Sequence, residues 1–160
     1  MAETFTSTDL QQFIEAHHIE ATIMLMEGHT PTVSDAAREL NVSTGQIIKS
    51  LVFMNADTPL LVINNGLSRV DRKKLASHLG VGRKKVKFVS AEQALAITGF
   101  VVGSMPPFGH RQTLRTLVDP DVLALDMIYG GGGTIDAMMC LTPQELLRVT
   151  GAETVVISES

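Results

Sequence analysis

A loop rich in glycine and proline is the first segment of this sequence whose residue types suggest chemistry. It runs from Gly99 to His110 and reads GFVVGSMPPFGH. Proline fixes φ and lacks an N–H, whereas glycine lets a ligand approach the main chain, so such a loop presents backbone groups in fixed directions. We predict a short apolar strand at its start and a binding site along it. The residues leave open a plain, tight connection between strands.

Lys49 is the second candidate, because it lies inside an apolar run. Residues 47–54 read IIKSLVFM, which is typical of a strand that is covered on both faces. A desolvated ammonium group is costly unless an anion accompanies it. The sequence therefore predicts either a buried salt bridge or a pocket that receives an anion such as phosphate, unless the amine reaches solvent at the strand end.

Four consecutive glycines form the third candidate, in YGGGGTID from Tyr129 to Asp136. Successive glycines permit unusual backbone angles, and their exposed N–H groups are able to form an anion-binding nest. The spacing matches neither a P-loop nor a dinucleotide fingerprint. A flexible turn is the alternative interpretation.

Conventional nucleophiles and metal ligands have little support in the sequence. Ser104 and His110 suggest a serine hydrolase, but no G-x-S-x-G elbow is present, and six residues of separation say nothing about contact. Cys140 lies in the apolar run TIDAMMCLT, which indicates a buried, inert thiol. No set of closely spaced His or Cys ligands is present, so we expect no metal and no cofactor.

Basic residues are concentrated between Arg69 and Lys87. This segment holds eight of the thirteen lysines and arginines and one acid, a local charge of +7 in a chain whose net charge is −4. A basic patch on an acidic body is able to hold a phosphate backbone, and a solvated helix and loop is the alternative. The residues predicted to contact nucleic acid are Arg69, Arg72, Lys73, Lys74, Arg83, Lys84 and Lys85.

The length and composition favour one globular domain over residues 1–160. The chain has 44% hydrophobic residues but no apolar run long enough to span a bilayer. Its first residues, MAETFTSTDL, lack the basic and then apolar layout of a signal peptide. We therefore expect a cytoplasmic protein with no membrane partner.

Helix-capping signals occur at four places. Ser7 or Thr8 precedes DLQQFIEAHH, Asp71 precedes RKKLASHL, and Ser90 with Gln93 forms a capping box before ALAI. The strongest signal is TPQELLRVTG, where Thr142 is the predicted cap, Pro143 takes the first helical position and Glu145 closes the box. Each of these segments is predicted to be a helix.

Short apolar runs bounded by turn residues predict strands. They are ATIMLM (21–26), IIKSLVFM (47–54), PLLVIN (59–64), VKFV (86–89), FVVG (100–103), LRTLVD (114–119), DMIYG (126–130), IDAMMCL (135–141) and TVVIS (154–158). NADTP suggests a hairpin between the second and third runs. Because no regular βαβ alternation is present, we predict an α+β fold with one mixed, mainly antiparallel sheet and flanking helices.

The three candidate segments together resemble a known family. In chain order they are IIKSLVF with Lys49, TGFVVGSMPPFG from Thr98 to Gly109, and GGGGTID ending at Asp136. This combination resembles the YbaK family of aminoacyl-tRNA deacylases, which are related to the editing domain inserted in bacterial prolyl-tRNA synthetases. The resemblance covers nearly the whole chain and implies the same α+β fold.

The resemblance also implies a function and roles for residues. It implies a free-standing trans-editing enzyme that hydrolyses mischarged aminoacyl-tRNA, with cysteinyl-tRNA(Pro) as the best-known substrate and prolyl-tRNA synthetase as a candidate partner. Lys49 matches the family's motif lysine, expected near the terminal adenosine, and the GSMPP loop is expected to hold the aminoacyl end. The implied catalytic residues are Lys49, Gly103, Ser104 and Asp136, and the implied substrate contacts are Thr98, Gly99, Met105, Pro106, Pro107, Tyr129, Gly130 and Gly131.

Two departures from the family bear on the amino acid that is removed. Cysteinyl-tRNA deacylases read SGG where this chain has Tyr129 and two glycines, and they carry a tyrosine in the early strand where this chain reads TIMLME. We expect a pocket bordered by these residues to accept several small aminoacyl groups, such as cysteine, alanine and serine.

The expected chemistry needs no conventional nucleophile. An aminoacyl ester is already activated, so positioning it and stabilising the oxyanion with backbone N–H groups could suffice, at about 3 kcal/mol for each donor. Water, or the substrate's own thiol in the cysteine case, then attacks, as the resemblance implies. The rival hypothesis is a non-catalytic module that binds a tRNA 3′ end or another phosphorylated ligand beside a synthetase.

Overall fold

Two β-sheets and the helices around them make up the computed structural model, which describes residues 3–27 and 32–160. The helices are α1 (Ser7–Ala16), α2 (Val33–Leu40), α3 (Arg72–Leu79), α4 (Ala91–Thr98), α5 (Pro120–Leu123) and α6 (Pro143–Thr150). The strands are β1 (Ala21–Leu25), β2 (Ile48–Asn55), β3 (Thr58–Asn65), β4 (Val86–Phe88), β5 (Arg115–Val118), β6 (Ile128–Gly131), β7 (Ala137–Leu141) and β8 (Glu153–Thr154). Single 3₁₀ turns occur at Thr44–Gln46 and Arg83–Lys85.

The strands divide between a three-stranded and a five-stranded sheet. The first has the order β1-β7-β6 and is antiparallel, and the second has the order β4-β2-β3-β5-β8 and is mixed. One parallel bridge, between Ile47 and Tyr129, links them. The predicted α+β class with flanking helices is confirmed, although the strands form two linked sheets where one was expected.

The β2–β3 hairpin is the centre of the larger sheet. The two strands pair from Ile48 opposite Asn65 to Asn55 opposite Thr58, so the predicted turn at NADTP is confirmed. Ala56 takes the left-handed conformation there, with φ of +53°. A two-residue connection needs such a conformation, because its twist must match that of the strands.

Local signals located most helix starts. Asp71, Ser90 and Thr142 cap α3, α4 and α6 as predicted. The cap of α1 is Thr6, whose hydroxyl accepts from the N–H of Thr8, and neither Ser7 nor Thr8 has this role. Helix α2, capped by Thr32, was not predicted.

Glu145 does not close the predicted capping box. Its carboxylate accepts from the N–H of Glu20 at 2.7 Å and from the guanidinium of Arg148 at 2.7 Å. The interaction with Arg148, and then the hydrogen bond from the N–H of Glu20, lower the pKa of Glu145 to about 2. The side chain thus joins α6 to the start of β1, which no local pattern could predict.

Two predicted strands differ from the structure. Residues 100–103 form a turn, because the N–H of Phe100 donates to the Thr98 hydroxyl at 3.0 Å and the N–H of Ser104 donates to Val101 O at 3.0 Å. In TVVIS, regular pairing ends at Thr154, and the chain continues to a bridge between Ser158 and Val70.

The core lies on both faces of the larger sheet. On one face, Ile48 and Val52 of β2 pack with Phe100 and Met105. On the other face, Phe53 packs with Leu75 of α3 and its neighbours. Each such fully buried side chain contributes roughly 1.5–3 kcal/mol. Within the described residues, no helix is long and apolar enough to cross a membrane.

Candidate active site

One edge of β2 is left uncovered between the two sheets. In the described residues, β4 pairs with β2 only at Phe53 to Asn55, and the pairing with β6 is limited to the bridge between Ile47, just before β2, and Tyr129. The carbonyl of Val52 accepts from the N–H of Val89 at 3.3 Å, so it points away from β3. Because backbone groups alternate along a strand, the N–H and C=O of Ser50 point the same way, into the gap.

A cavity of about 290 Å³ occupies this gap. Its walls come from β2, the start of α2, the end of β4, helix α4, the loop after α4, and strands β6 and β7. Its lining residues include Thr32, Val33, Ala36, Ile48, Lys49, Ser50, Val52, Phe88, Ala94, Val102, Gly103, Met105, Gly131 and Met138. Two of the three segments that the sequence singled out contribute several of these residues, and the glycine run contributes Gly131.

Lys49 is half-buried at this cavity and has no ion-pair partner among the described residues. Burial, and then the charge of Arg69, lower its pKa below the usual 10.5. The buried salt bridge that the sequence left open is therefore not seen in the described part of the chain. An anionic group that enters the cavity would meet an ammonium group in need of a counter-charge.

The loop after α4 is held rigidly from within. Gly99 ends the helix at φ of +90°, and a Cβ there would lie 2.7 Å from the ring of Phe5. The Ser104 hydroxyl donates to Val101 O at 2.7 Å, and Gly103 has φ of +96°. This turn carries Gly103 and Met105 to the cavity in a conformation that glycine adopts without strain.

His110 anchors the same loop from its other side. Its Nε2 lies 2.8 Å from Pro106 O, and because a carbonyl only accepts, the imidazole donates. Burial lowers the pKa of His110 to about 4, despite this hydrogen bond, so the ring is neutral near pH 7. The ring also meets Phe100 edge-on, with centroids 6.1 Å apart.

Main-chain donors of the loop remain available to a ligand, as far as the described residues show. Val102, Gly103 and Met105 line the cavity, and none of their N–H groups donates to an acceptor in the described residues. The N–H of Ser104 between them is used by Val101 O. Free donors that a rigid loop holds beside a cavity resemble the arrangement that stabilises an oxyanion.

The glycine run packs the two loops together. A Cβ at Gly131 would overlap the backbone of Met105 and lie 2.7 Å from Ser104 O. Gly133 donates its N–H to Ser104 O, and Gly132 donates to Ala137 O, both at 3.0 Å. Since these N–H groups are already used, the predicted anion nest is wrong for these two residues, and the run serves close packing.

Of the predicted site residues, Lys49, Gly103, Met105 and Gly131 come together at the cavity. The others lie outside its lining. Thr98 is fully buried and, with Gly99, shapes the turn, and Ser104, Pro106 and Pro107 are buried within the loop. Gly130 lies in β6 beside Ile48.

Tyr129 and Asp136 also lie away from the cavity lining. Tyr129 packs in an apolar cluster with Ala36 and Ile47, where burial and then Cys140 raise its pKa. Asp136 is exposed at the turn between β6 and β7, where its carbonyl accepts from the N–H of Met26. The sequence also predicted that TIMLME borders the substrate pocket. This prediction is wrong for the cavity, because β7 separates β1 from β6 and no residue of β1 lines the cavity.

Ser104 and His110 do not form a catalytic pair. The serine hydroxyl is engaged by Val101 O and the imidazole by Pro106 O. Cys140 is half-buried, rather than buried as predicted. In the part of the chain that the structure describes, no cluster of three His, Cys, Asp or Glu side chains is able to hold a metal.

Sequence inspection missed Ser50, Phe88 and Val102, which all line the cavity. Ser50 had a detectable signal, because it is a polar residue in an otherwise apolar strand beside Lys49. Val102 lies in the loop for which the sequence predicted a site, although it was given no role of its own. Phe88 had no signal, since only the tertiary fold brings it to the cavity. A larger cavity of about 500 Å³ lies beside Pro107 and His110, but none of the implied catalytic residues lines it.

The basic segment divides into two kinds of residue. Arg72 donates to Val86 O at 3.1 Å and to Arg83 O at 3.2 Å, and the amine of Lys74 donates to Ser158 O at 2.8 Å. These two side chains therefore bind main-chain carbonyl oxygens of the protein itself. The remaining predicted contacts are exposed, with no ion pair in the described residues: Arg69, Lys73, Arg83, Lys84 and Lys85.

Comparison with known proteins agrees with the resemblance. The "Putative Cys-tRNA(Pro)/Cys-tRNA(Cys) deacylase EbsC" of Enterococcus faecalis is 26% identical over 155 residues, 94% of this chain and 93% of that protein. The "Multifunctional Ser/Thr-tRNA deacylase ProXp-y" of Escherichia coli is 30% identical over 88 residues, 54% of this chain and 52% of that protein.

Solved structures share the whole fold. A crystal structure of "a putative trans-editing enzyme for prolyl tRNA synthetase" superposes with a TM-score of 0.88 at 30% identity, covering 96% of this chain and 97% of that one. The model of the aminoacyl-tRNA editing domain matches residues 27–149. The predicted family and, at the level of the family, the predicted enzyme class are therefore confirmed. This chain belongs to the aminoacyl-tRNA editing domain family.

Proposed function

We propose that this protein is a single-domain enzyme, spanning residues 1–160, that hydrolyses the ester of mischarged aminoacyl-tRNA at the cavity on the open edge of β2. One observation carries the proposal: the half-buried ammonium of Lys49 and the N–H groups of Gly103 and Met105, which have no partner in the described residues, line the same cavity. Membership of the editing family and relatives named as deacylases support it.

The proposed mechanism depends on positioning and oxyanion stabilisation. Lys49 holds an anionic or polar group of the terminal nucleotide, and the N–H groups of Gly103 and Met105 receive the carbonyl oxygen as it gains charge. The oxygen of water forms a bond to the carbonyl carbon, and the ester C–O bond then breaks. One proton of that water ends on the departing ribose hydroxyl, the other is released to solvent, and the amino acid leaves as its carboxylate.

The proposed substrates carry small, uncharged amino acids such as cysteine, alanine or serine, on tRNA(Pro). The cavity is small, and its apolar wall includes Val52, Met105 and Met138. A pocket of this kind discriminates by size, at roughly 1–3 kcal/mol for each methylene group. Met105 and Met138 replace Tyr129 and β1 as the proposed determinants, and the rigid GSMPP loop is proposed to exclude the prolyl group.

The test is release of free amino acid from tRNA(Pro) charged with cysteine, alanine, serine or proline, under single-turnover conditions. We expect release from at least two of the small esters, each at least about tenfold faster than from the prolyl ester. The Lys49→Met variant is the matched control for the cavity. Binding of charged tRNA without release would favour the non-catalytic module, and rapid prolyl release would contradict the specificity.

A prolyl-tRNA synthetase is the proposed partner, and the cytoplasm is the proposed location, because charged tRNA is made and used there. The name of the structurally similar trans-editing enzyme supports the link to the synthetase. Faster release of cysteine from tRNA(Pro) when the synthetase is added would support a partnership. An unchanged rate over a wide range of synthetase concentration would contradict it.

A further inference from the structure

Phe88 is an exposed aromatic residue at the cavity, and neither the family resemblance nor the proposed mechanism uses it. Its side chain lines the cavity, yet the residue is 58% exposed. It is paired across the strands with Phe53, whose ring is buried and lies 5.3 Å away at an interplanar angle of 28°. The ring of Phe88 is therefore supported from below while much of its surface faces solvent.

The ring stands on the same face of the sheet as Lys49. Side chains alternate along a strand, so Lys49, Leu51 and Phe53 share one face of β2, and Phe88 extends this row from the neighbouring strand. Val102, which is 50% exposed, also lines the cavity from the loop after α4. An apolar mouth thus adjoins a cavity that contains an ammonium group.

Positive charge lies beside this mouth. Lys49 lines the cavity itself, and Arg69 is close enough for its charge to act on Lys49. Lys87, next to Phe88 in β4, is exposed. None of these side chains has an ion pair in the described residues. Proteins that bind single-stranded nucleic acids stack the bases on aromatic side chains and bind the phosphates with lysine or arginine side chains. The positive charge at this mouth therefore favours a nucleotide over a purely apolar partner.

We propose that Phe88 stacks on the terminal base of the tRNA and thereby positions the 3′ end over the cavity. This inference rests on the proposed function and names the residue that binds the base. The stack is equally strong before and during ester cleavage, so its loss raises KM and leaves kcat nearly unchanged. Base–aromatic stacking corresponds to a factor of about 5 to 150 in affinity.

The experiment uses a chemically aminoacylated acceptor-stem RNA with a terminal adenine and an otherwise identical RNA whose last nucleotide is abasic. Four variants are compared with the wild type: Phe88→Ala, Phe88→Leu, Phe88→Trp and Val156→Ala. Leucine keeps apolar contact with Phe53 but lacks an aromatic face. Val156 is 60% exposed and does not line the cavity, so its variant controls for loss of an exposed apolar side chain.

The expected result is a coupling between residue 88 and the terminal base. Alanine and leucine raise KM for the adenine-ended RNA about 5- to 150-fold, tryptophan and Val156→Ala leave it near the wild-type value, and no variant changes KM for the abasic RNA. Equal effects on both RNAs, or none on either, would overturn the inference. If no ester is hydrolysed, the affinities of the variants for the two uncharged RNAs, measured by fluorescence anisotropy, give the same comparison. Failure of the proposed hydrolysis is thus distinguishable from failure of the stacking inference.

Discussion

The cavity on β2 and the basic segment from residue 69 to 87 use positive charge in different ways. At the cavity, Lys49 is half-buried and lacks a partner in the described residues. In the basic segment, Arg72 and Lys74 hold main-chain oxygens, while neighbours such as Lys84 are exposed.

The difference shows that the position of a charge in the sequence does not reveal its use. An exposed cation loses little by remaining unpaired, whereas a half-buried one is unfavourable until an anion arrives. A cation that donates to main-chain oxygens contributes to stability instead. We therefore expect variants at the cavity to change activity, variants at Arg72 to change stability, and variants at the exposed lysines to change affinity.

The largest effect is expected from Gly131→Ala, which tests whether the geometry of the cavity matters. The added Cβ overlaps the backbone of Met105, so the loop that carries the proposed donors must move. A misplacement of about 1 Å costs about 100-fold in rate, and we expect kcat to fall at least that far. Gly82→Ala is the control, because Gly82 lies away from the cavity, its φ is −70° and a Cβ there has nothing within 4 Å. A wild-type kcat for Gly131→Ala would argue against oxyanion donors in this loop.

Charge reversal at two exposed lysines sharpens the comparison from the other region. We expect Lys84→Glu with Lys85→Glu to raise KM for charged tRNA about tenfold and to reduce the salt slope of binding by about 2, because two phosphate contacts are lost. kcat should stay near the wild-type value. The matched control replaces both lysines with arginine and keeps the charge. Normal binding with an unchanged salt slope would make this segment only a solvated surface.

Arg72→Ala is expected to act on stability instead. It removes the donors that bind Val86 O and Arg83 O. We expect the free energy of unfolding to fall by about 1–2 kcal/mol and Tm to fall by about 2–8 °C in a chain of this size. Lys73→Ala, at an exposed neighbour on the same helix, is the control and should leave Tm unchanged. Weaker tRNA binding by folded Arg72→Ala, with no change in Tm, would reverse the assignment.

The smallest effect is expected from Cys140→Ser and from EDTA. Cys140 does not line the cavity, and the described residues hold no candidate cluster of metal ligands. Each treatment should leave the rate within about twofold of the untreated enzyme, since neither touches the proposed donors. Loss of turnover with EDTA that added zinc restores would contradict the mechanism.

Sequence reasoning succeeded where the information is local. Capping at Asp71 and Ser90, the β2–β3 hairpin and the apolar strand around Lys49 all depend on residues a few positions apart.

Sequence reasoning failed where tertiary contacts decide. The run FVVG is apolar enough for a strand, but Thr98 and Ser104 fold it into a turn. Glu145 meets Glu20 and Arg148 because distant elements bring them together. In the candidate site, Lys49 and the GSMPP loop were predicted, whereas Phe88 reaches the cavity only through the pairing of β4 with β2.

The most direct test of the central claim is single-turnover release of amino acid by Lys49→Met, measured beside its melting temperature. The unpaired, half-buried ammonium supports no structural contact in the described residues, so we expect Tm to fall by no more than about 2 °C. Release from the best small aminoacyl-tRNA should slow at least about 100-fold, because the substrate loses its anchor. Wild-type release by Lys49→Met, or a loss of activity that a large fall in Tm fully explains, would contradict the account.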